Sequence, residues 1–254
     1  MTRLAGKCAV ITGGGTGIGQ AIALAFAREG AQVVVAGRRK GKLEGTVLLL
    51  QQAGCSALAF ECDVTKAADT LRVVKSAEDA FGKVNVLVNN AGALSVSTVE
   101  NIPEEDWDRV MSTNVKGPFL MSRAALPAMR RAGGGSIINI GSVLGLVAIR
   151  DRAAYCASKG GVTMLTRAMA LDHANDNIRV NCLCPSIVES DMTRNLFAET
   201  EAGRQARESR LASIPLGRFG KPADVAGLVV FLASEESSWM TGTVIPVDGG
   251  VTAY

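Results

Sequence analysis

The sequence predicts a doubly wound α/β domain, a parallel sheet of seven strands with helices on both faces. Three observations carry this prediction. Short apolar runs alternate with segments of helical period along nearly the whole chain. The first run ends in a glycine cluster that opens directly into a helical segment. No Pro/Ser-rich linker, internal repeat or shift in composition divides the 254 residues, so one domain over 1–254 is expected. Hydrophobic residues make up 48% of the chain, enough for a large core.

Residues 7–12 are a short apolar run into Gly13 and read as the first strand. Residues 17–28 place Ile18, Ile22, Ala25 and Phe26 on one side of a helix. The β-branched run 31–36 reads as a strand covered on both faces. Helix 43–52, strand 57–62, helix 66–80 and strand 84–88 continue the alternation. The helical stretch 103–129 is expected to break at Pro118, because proline lacks the N–H that a helix interior needs. Strand 136–140, helix 152–173, strand 178–183, helix 222–233 and strand 244–247 complete the pattern. Residues 185–215 depart from it, with Glu189, Asp191, Arg194, Glu199, Glu201, Arg204, Arg207, Glu208 and Arg210. This stretch follows the carboxyl end of a strand, where open α/β sheets bind ligands, and a helical lid is expected there.

Composition excludes several chemistries. His173 is the only histidine, so no zinc site can rest on two or three histidines, and a Ser-His-Asp or Cys-His hydrolase would have to use that one residue as its base. No metal site is expected. A net charge of +3 argues against a general nucleic-acid binder. No apolar run reaches the ~18 residues of a membrane span, and the first residues lack the apolar core of a signal peptide. The expected setting is the cytoplasm, with Cys8, Cys55, Cys62, Cys156, Cys182 and Cys184 as free thiols.

Thr12-Gly13-Gly14-Gly15-Thr16-Gly17-Ile18-Gly19 joins the first strand to the first helix. Glycines let the backbone turn tightly and approach a pyrophosphate, and the helix N-terminus offers unpaired N–H groups. Gly13, Gly15, Thr16, Gly17, Ile18 and Gly19 are thus candidate dinucleotide contacts in a Rossmann fold. No Gly-Lys-Ser/Thr follows, so an ATP-type loop is not expected. The second strand ends in Arg38 and Arg39, with no acid for a ribose 2′-hydroxyl. An arginine there can take the 2′-phosphate, which points to NADP, with NAD possible.

Tyr155 and Lys159 stand at i and i+4 on the predicted helix and share a face. A nearby ammonium and a positively charged nicotinamide would favour the tyrosinate. Tyr155 could then exchange a proton with an alcohol or ketone. Ser142, after strand 136–140, could hold the substrate oxygen beside it.

Taken together, these residues resemble the classical short-chain dehydrogenase/reductases from about Leu4 to Gly250. The motifs that carry the resemblance are the glycine loop 12–19, Asp63, Asn89-Asn90-Ala91-Gly92, Asn114, Ser142, Tyr155-x-x-x-Lys159, Pro185 and Asp248-Gly249-Gly250. The resemblance implies that Ser142, Tyr155, Lys159 and Asn114 are catalytic, with Asn114 holding a water that passes protons to Lys159. It implies that Asp63 and Val64 meet the adenine and that Asn90, Ala91 and Gly92 lie along the cofactor. Lys159 and Tyr155 would face the nicotinamide ribose, and Pro185, Val188 and Ser190 the carboxamide. The stretch after Pro185 would close over substrate, and a homotetramer is implied. Ser186 stands where the family has glycine and is expected to cost backbone freedom. Ser190 replaces a threonine and keeps its hydroxyl.

The residues leave open which alcohol or ketone is the substrate. An NADP-dependent carbonyl reductase or alcohol dehydrogenase fits. So do a 3-oxoacyl-(acyl-carrier-protein) reductase, with Arg130 and Arg131 as a patch for an acidic carrier, and an NAD-dependent polyol or sugar dehydrogenase. A catalytically inactive nucleotide-binding regulator belongs to a different class, and the complete Ser-Tyr-Lys set argues against it. Arg150, Arg152 and the arginines of the lid would suit an anionic substrate, and equally a solvated surface. His173, at the end of the Tyr155 helix, suits a capping role. The two cysteines at 182 and 184 suit small core positions. The helix 152–173, apolar nearly all round, invites a subunit contact.

Overall fold

The computed structural model describes residues 2–190, 193, 197 and 200–253. Of the polar stretch after Pro185, Asp191, Arg194 and Glu199 lie outside the described residues.

Seven parallel strands form one sheet in the order β3-β2-β1-β4-β5-β6-β7. They are β1 Cys8–Thr12, β2 Gln32–Gly37, β3 Ala57–Glu61, β4 Val86–Asn89, β5 Gly135–Ile140, β6 Ile178–Pro185 and β7 Val244–Val247. The helices between them are α1 Gly17–Arg28, α2 Lys40–Gln52, α3 Ala67–Phe81, α4 Glu104–Met111, α5 Gly117–Arg131, α6 Ala153–His173, α7 Glu201–Ala212 and α8 Pro222–Ala233.

Strand alternation sorts the core into two halves. Ala9, Ile11, Val33 and Val35 point toward α1, α2 and α8, where Ile22, Phe26, Leu43, Leu50 and Val229 meet them. Cys8, Val10, Val34 and Ala36 point the other way, toward Val73 and Val74 of α3, Met121 and Met129 of α5 and Met169 of α6. The strand order reverses between β1 and β4. At such a switch point the neighbouring connections leave in opposite directions, and a crevice opens at the carboxyl ends of the strands.

The long helix expected over 103–129 is two helices. α4 ends at Met111, one π-helical turn spans Ser112–Lys116, and α5 starts at Gly117 with Pro118 in its first turn. The break thus lies just before Pro118, where a missing N–H costs least. Proline cannot close the α-helical bond onto the carbonyl four residues earlier, that of Asn114, and the backbone widens there. Pro127 stays inside α5.

β6 runs on to Pro185, two residues past its expected end. The serine at 186 carries no strain. Its N–H donates to the Val247 carbonyl at 3.3 Å, and among the described non-glycine residues only Asp151 and Asn177 have positive φ. The expected cost of replacing glycine is therefore absent, because the backbone there never enters the left-handed region.

All six cysteines are free thiols, and Cys182 and Cys184 are fully buried in β6. His173 ends α6 beside the Arg130–Asp176 ion pair, with Nδ1 3.4 Å from Asp176. α6 covers the sheet with Val162 and Met169, while Met164 and Leu171 are exposed. Among the described residues, no helix is long and apolar enough to cross a membrane.

Candidate active site

The glycine loop caps the carboxyl end of β1. Gly13 has φ +65°, a conformation that glycine adopts without steric cost. A side chain at Gly19 would place its Cβ 2.3 Å from the Gly13 carbonyl oxygen, so α1 can start this close to the loop only with glycine there. The loop is tied to β4. Thr12 Oγ1 accepts the N–H groups of Asn90 and Ala91, each at 3.0 Å. Asn90 Nδ2 donates to the Thr12 carbonyl at 3.0 Å and the Gly13 carbonyl at 3.3 Å. Asn90 therefore acts first as a strut between two strand ends.

One cleft runs from this loop to Ser142, Tyr155 and Lys159. Gly13, Thr16, Gly17 and Ile18 line it with Asn90, Ala91 and Gly92, then Ser142, Tyr155 and Lys159, then Pro185, Val188 and Ser190. A second stretch continues beneath the end of β2, lined by Gly15, Arg38, Arg39, Lys42, Asp63 and Val64. Every sequence-predicted residue except Asn114 and Gly19 thus lines one of two adjoining cavities that share Gly13, Arg39, Ala91 and Gly92. This cradle along the glycine loop has the backbone donors a dinucleotide needs.

The cationic end of the cleft is built from α2 and β2. Arg39 Nη2 donates to Thr16 Oγ1 at 2.9 Å. Lys42, one turn into α2, adds a third positive charge that sequence reasoning missed; its place one turn beyond Arg39 was the available signal. Across from them, Asp63 Oδ1 accepts from the N–H and Oγ1 of Thr65 at 3.0 and 2.8 Å. Burial pushes its carboxyl pKa up, but the Thr65 bonds and the charges of Lys66 and Arg38 outweigh this and hold it below the usual range.

Three elements meet at the reactive end. Ser142, half a turn past β5, accepts the Leu144 N–H on Oγ at 3.1 Å, which starts the short 3₁₀ turn Val143–Gly145. That turn presses on α6: a Cβ at Gly145 would lie 2.7 Å from the Lys159 backbone. Tyr155 stands in the first turn of α6. Lys159, 5% exposed, donates from Nζ to the Ile140 carbonyl at 2.8 Å and lies 5.6 Å from the Tyr155 ring centre.

Asn114 stands behind them, 1% exposed. Its Oδ1 accepts the Ala93 N–H at 2.7 Å, and its Nδ2 donates to the Ala93 carbonyl at 2.9 Å and to Ser158 Oγ at 3.0 Å. Ser158 in turn donates to the Tyr155 carbonyl at 2.8 Å. The side chain of Asn114 thus acts as a clamp between the 91–93 loop and α6, and its backbone carbonyl receives no α-helical bond from Pro118. Ser158 was not foreseen, because its role depends on a residue of another helix.

The lid segment is latched at its base. Val188 pairs with Gly220, Glu189 donates to the Gly220 carbonyl at 2.8 Å, and Gly220 donates to the Ile187 carbonyl at 2.9 Å. Ser190 lies over the glycine loop, its Cβ 3.1 Å from where a Cβ on Gly17 would be, and its N–H donates to Thr193 Oγ1 at 2.9 Å. His173 lines neither cavity. Among the described residues, no group of three His, Cys, Asp or Glu could hold a metal ion.

Comparison with known proteins agrees with this architecture. Residues 13–252 match the family model described as enoyl-(acyl carrier protein) reductase. The chain is 44% identical to 2-(S)-hydroxypropyl-CoM dehydrogenase 3 of Xanthobacter autotrophicus, over 99% of this chain and 98% of that one. It is 40% identical to a 3-oxoacyl-(acyl-carrier-protein) reductase of Thermotoga maritima, over 98% of this chain and 99% of that one. A crystal structure of a short-chain type dehydrogenase/reductase from Mycobacterium marinum superposes with a TM-score of 0.94 at 38% identity, covering 100% of this chain and 98% of that one. The chain belongs to the classical short-chain dehydrogenase/reductase family and is an oxidoreductase of the alcohol–ketone type that works with a nicotinamide dinucleotide.

Proposed function

We propose that this protein interconverts a secondary alcohol and a ketone using NADP(H), with Ser142, Tyr155 and Lys159 as its catalytic residues and Asn114 completing a proton relay. One observation carries the reading: a single cleft is lined by the glycine loop at one end and by Ser142, Tyr155 and Lys159 at the other. The bound dinucleotide supplies or accepts the hydride. Gly13, Gly15, Thr16, Gly17, Ile18 and Gly19 would hold its pyrophosphate, and Asp63 and Val64 its adenine. Asn90, Ala91 and Gly92 would flank it, with Pro185, Val188 and Ser190 at the nicotinamide end.

Tyr155 gives its phenolic proton to the substrate oxygen during reduction, or takes it during oxidation. Ser142 holds that oxygen by a hydrogen bond. The Lys159 ammonium, fixed on the Ile140 carbonyl and 5.6 Å from the Tyr155 ring centre, would hydrogen-bond the nicotinamide ribose. The carbonyl of Asn114, which Pro118 cannot engage, is free to hold a water linking Lys159 to solvent.

Arg38, Arg39 and Lys42 around one cavity, with no acid at the end of β2, support NADP over NAD. The carrier-protein reading is weaker. Arg130 and Arg131, its proposed patch, are each tied to a carboxylate, Asp176 and Glu78, at 2.8 Å. The proposal treats 1–254 as one catalytic domain, with about 185–215 closing over the substrate. Exposed Met164, Leu171 and Trp239 support a homotetramer. Initial rates on a panel of ketones and alcohols with NADP and NAD side by side test the proposal. Turnover with NADP clearly above NAD is expected, and the reverse order would overturn the assignment to Arg38 and Arg39.

A further inference from the structure

A second cavity shares Ser142 and Tyr155 with the cofactor cleft. Its walls are mostly apolar, with Val143, Ile149, Ile187 and Ile214 among them. Two charged side chains line it, Arg152 and Arg210, and no Asp or Glu does so among the described residues. They come from different elements. Arg152 directly precedes α6, and Arg210 lies in the last turn of α7.

The two differ from the arginines around them. Arg204 is paired with Glu201, and Arg218 with Asp224. Arg207 lies over the Phe219 ring. Arg152 and Arg210 have no carboxylate partner among the described residues. Arg152 is also held in place. Its backbone pairs with Ser97, Ser97 N–H donates to the Asp151 carbonyl at 2.9 Å, and Nη1 donates to that same carbonyl at 2.8 Å. Burial first, and then the like charge of Arg210, make its guanidinium a weaker base than an ordinary arginine. Arg152 is partly buried and Arg210 exposed, and the Asp151 charge only partly offsets the repulsion between the two guanidinium groups. A carboxylate or sulfonate that accepts from both would relieve that repulsion through charge-assisted bonds.

We propose that Arg152 and Arg210 form an anion-binding subsite, so that the substrate is an alcohol or ketone whose tail ends in an oxyanion. This rests on the assignment of Tyr155 as the proton donor.

The test uses matched substrates: levulinate against its methyl ester, and an oxobutanesulfonate against the corresponding methyl sulfone. kcat/KM is measured with each dinucleotide. The anionic member of each pair is expected to be favoured by roughly 10-fold or more. Arg152→Gln or Arg210→Gln should each lower the anionic-to-neutral ratio by roughly 10-fold, and the double variant should bring it near one. Arg150→Gln, an exposed arginine outside the cavity, should leave the ratio unchanged. Calorimetric binding of butanesulfonate to the protein–dinucleotide complex gives a readout independent of turnover, and should weaken at least 10-fold in the double variant. A preference for the neutral members, or a ratio and a butanesulfonate affinity that both variants leave unmoved, overturns the subsite. Arginine-dependent butanesulfonate binding with no turnover of any pair sustains the subsite and overturns the dehydrogenase assignment instead.

Discussion

Asn114→Ala isolates the clamp between the 91–93 loop and α6. In the folded protein its amide makes three hydrogen bonds of 2.7–3.0 Å in a buried position. Alanine leaves the N–H and carbonyl of Ala93 without that partner, and Ala93 is itself buried. Ser158 loses a donor but keeps its own bond to the Tyr155 carbonyl. Each unmet buried group costs ~1–3 kcal/mol, so the variant should be less stable by about 2–5 kcal/mol. At ~2–4 °C per kcal/mol for a chain of this size, the melting temperature should fall by roughly 5–15 °C. Ser158→Ala removes one of the three bonds and should cost about 1 kcal/mol. Because the two side chains share a bond, the double variant should cost less than the singles combined. Thermal unfolding followed by circular dichroism measures all three. Turnover should fall as well, since the clamped loop carries Gly92 to within reach of Lys159. An Asn114→Ala protein melting within about 1 °C of wild type would refute the clamp.

Tyr155→Phe should lose roughly 10²–10⁴-fold in kcat while the reduced dinucleotide still binds by fluorescence, and a variant keeping most of its turnover would refute the proton role. Arg38→Asp should raise KM for NADP by roughly 10-fold or more and leave that for NAD little changed; equal effects on both would remove the 2′-phosphate assignment. The Arg218 guanidinium, with help from the Lys221 N–H at 2.6 Å, holds the Asp224 carboxyl at about 2. A depressed carboxyl pKa stabilises the fold above its unfolded value of ~3.9, and that gain is lost as pH falls toward about 2. Asp224 is more than a third exposed, so solvent screening limits the gain to ~1 kcal/mol or less. Asp224→Asn should therefore melt about 2 °C below wild type near pH 7, with the gap closing between about pH 4 and 2; a gap that widens on acidification would contradict the ion pair.

Much of the fold was legible because its signals are local. The continuous β-branched run at Val33, Val34 and Val35 and the helical spacing of Ile18, Ile22 and Phe26 are properties of short windows. The break near Pro118 was also legible, but its form was not. Whether a helix answers a missing N–H with a kink or a π turn depends on what packs against it, here Asn114 reaching Ala93 and Ser158. The strain expected at Ser186 did not materialise, because the conformation of one residue is set by partners such as Val247, which sequence proximity does not reveal.

By itself the sequence determined the strand–helix alternation, the glycine loop, the shared face of Tyr155 and Lys159, and the single histidine. Each depends on spacing within a few residues, where backbone geometry alone relates position to direction. The tertiary structure decided the rest. Ser158 behind Asn114, and Arg152 and Arg210 in one mostly apolar cavity, join side chains from elements far apart in the chain. Their proximity follows from how the sheet's strands are ordered and how α7 lies over the site. No periodicity records that, because such contacts are chosen by packing of whole elements.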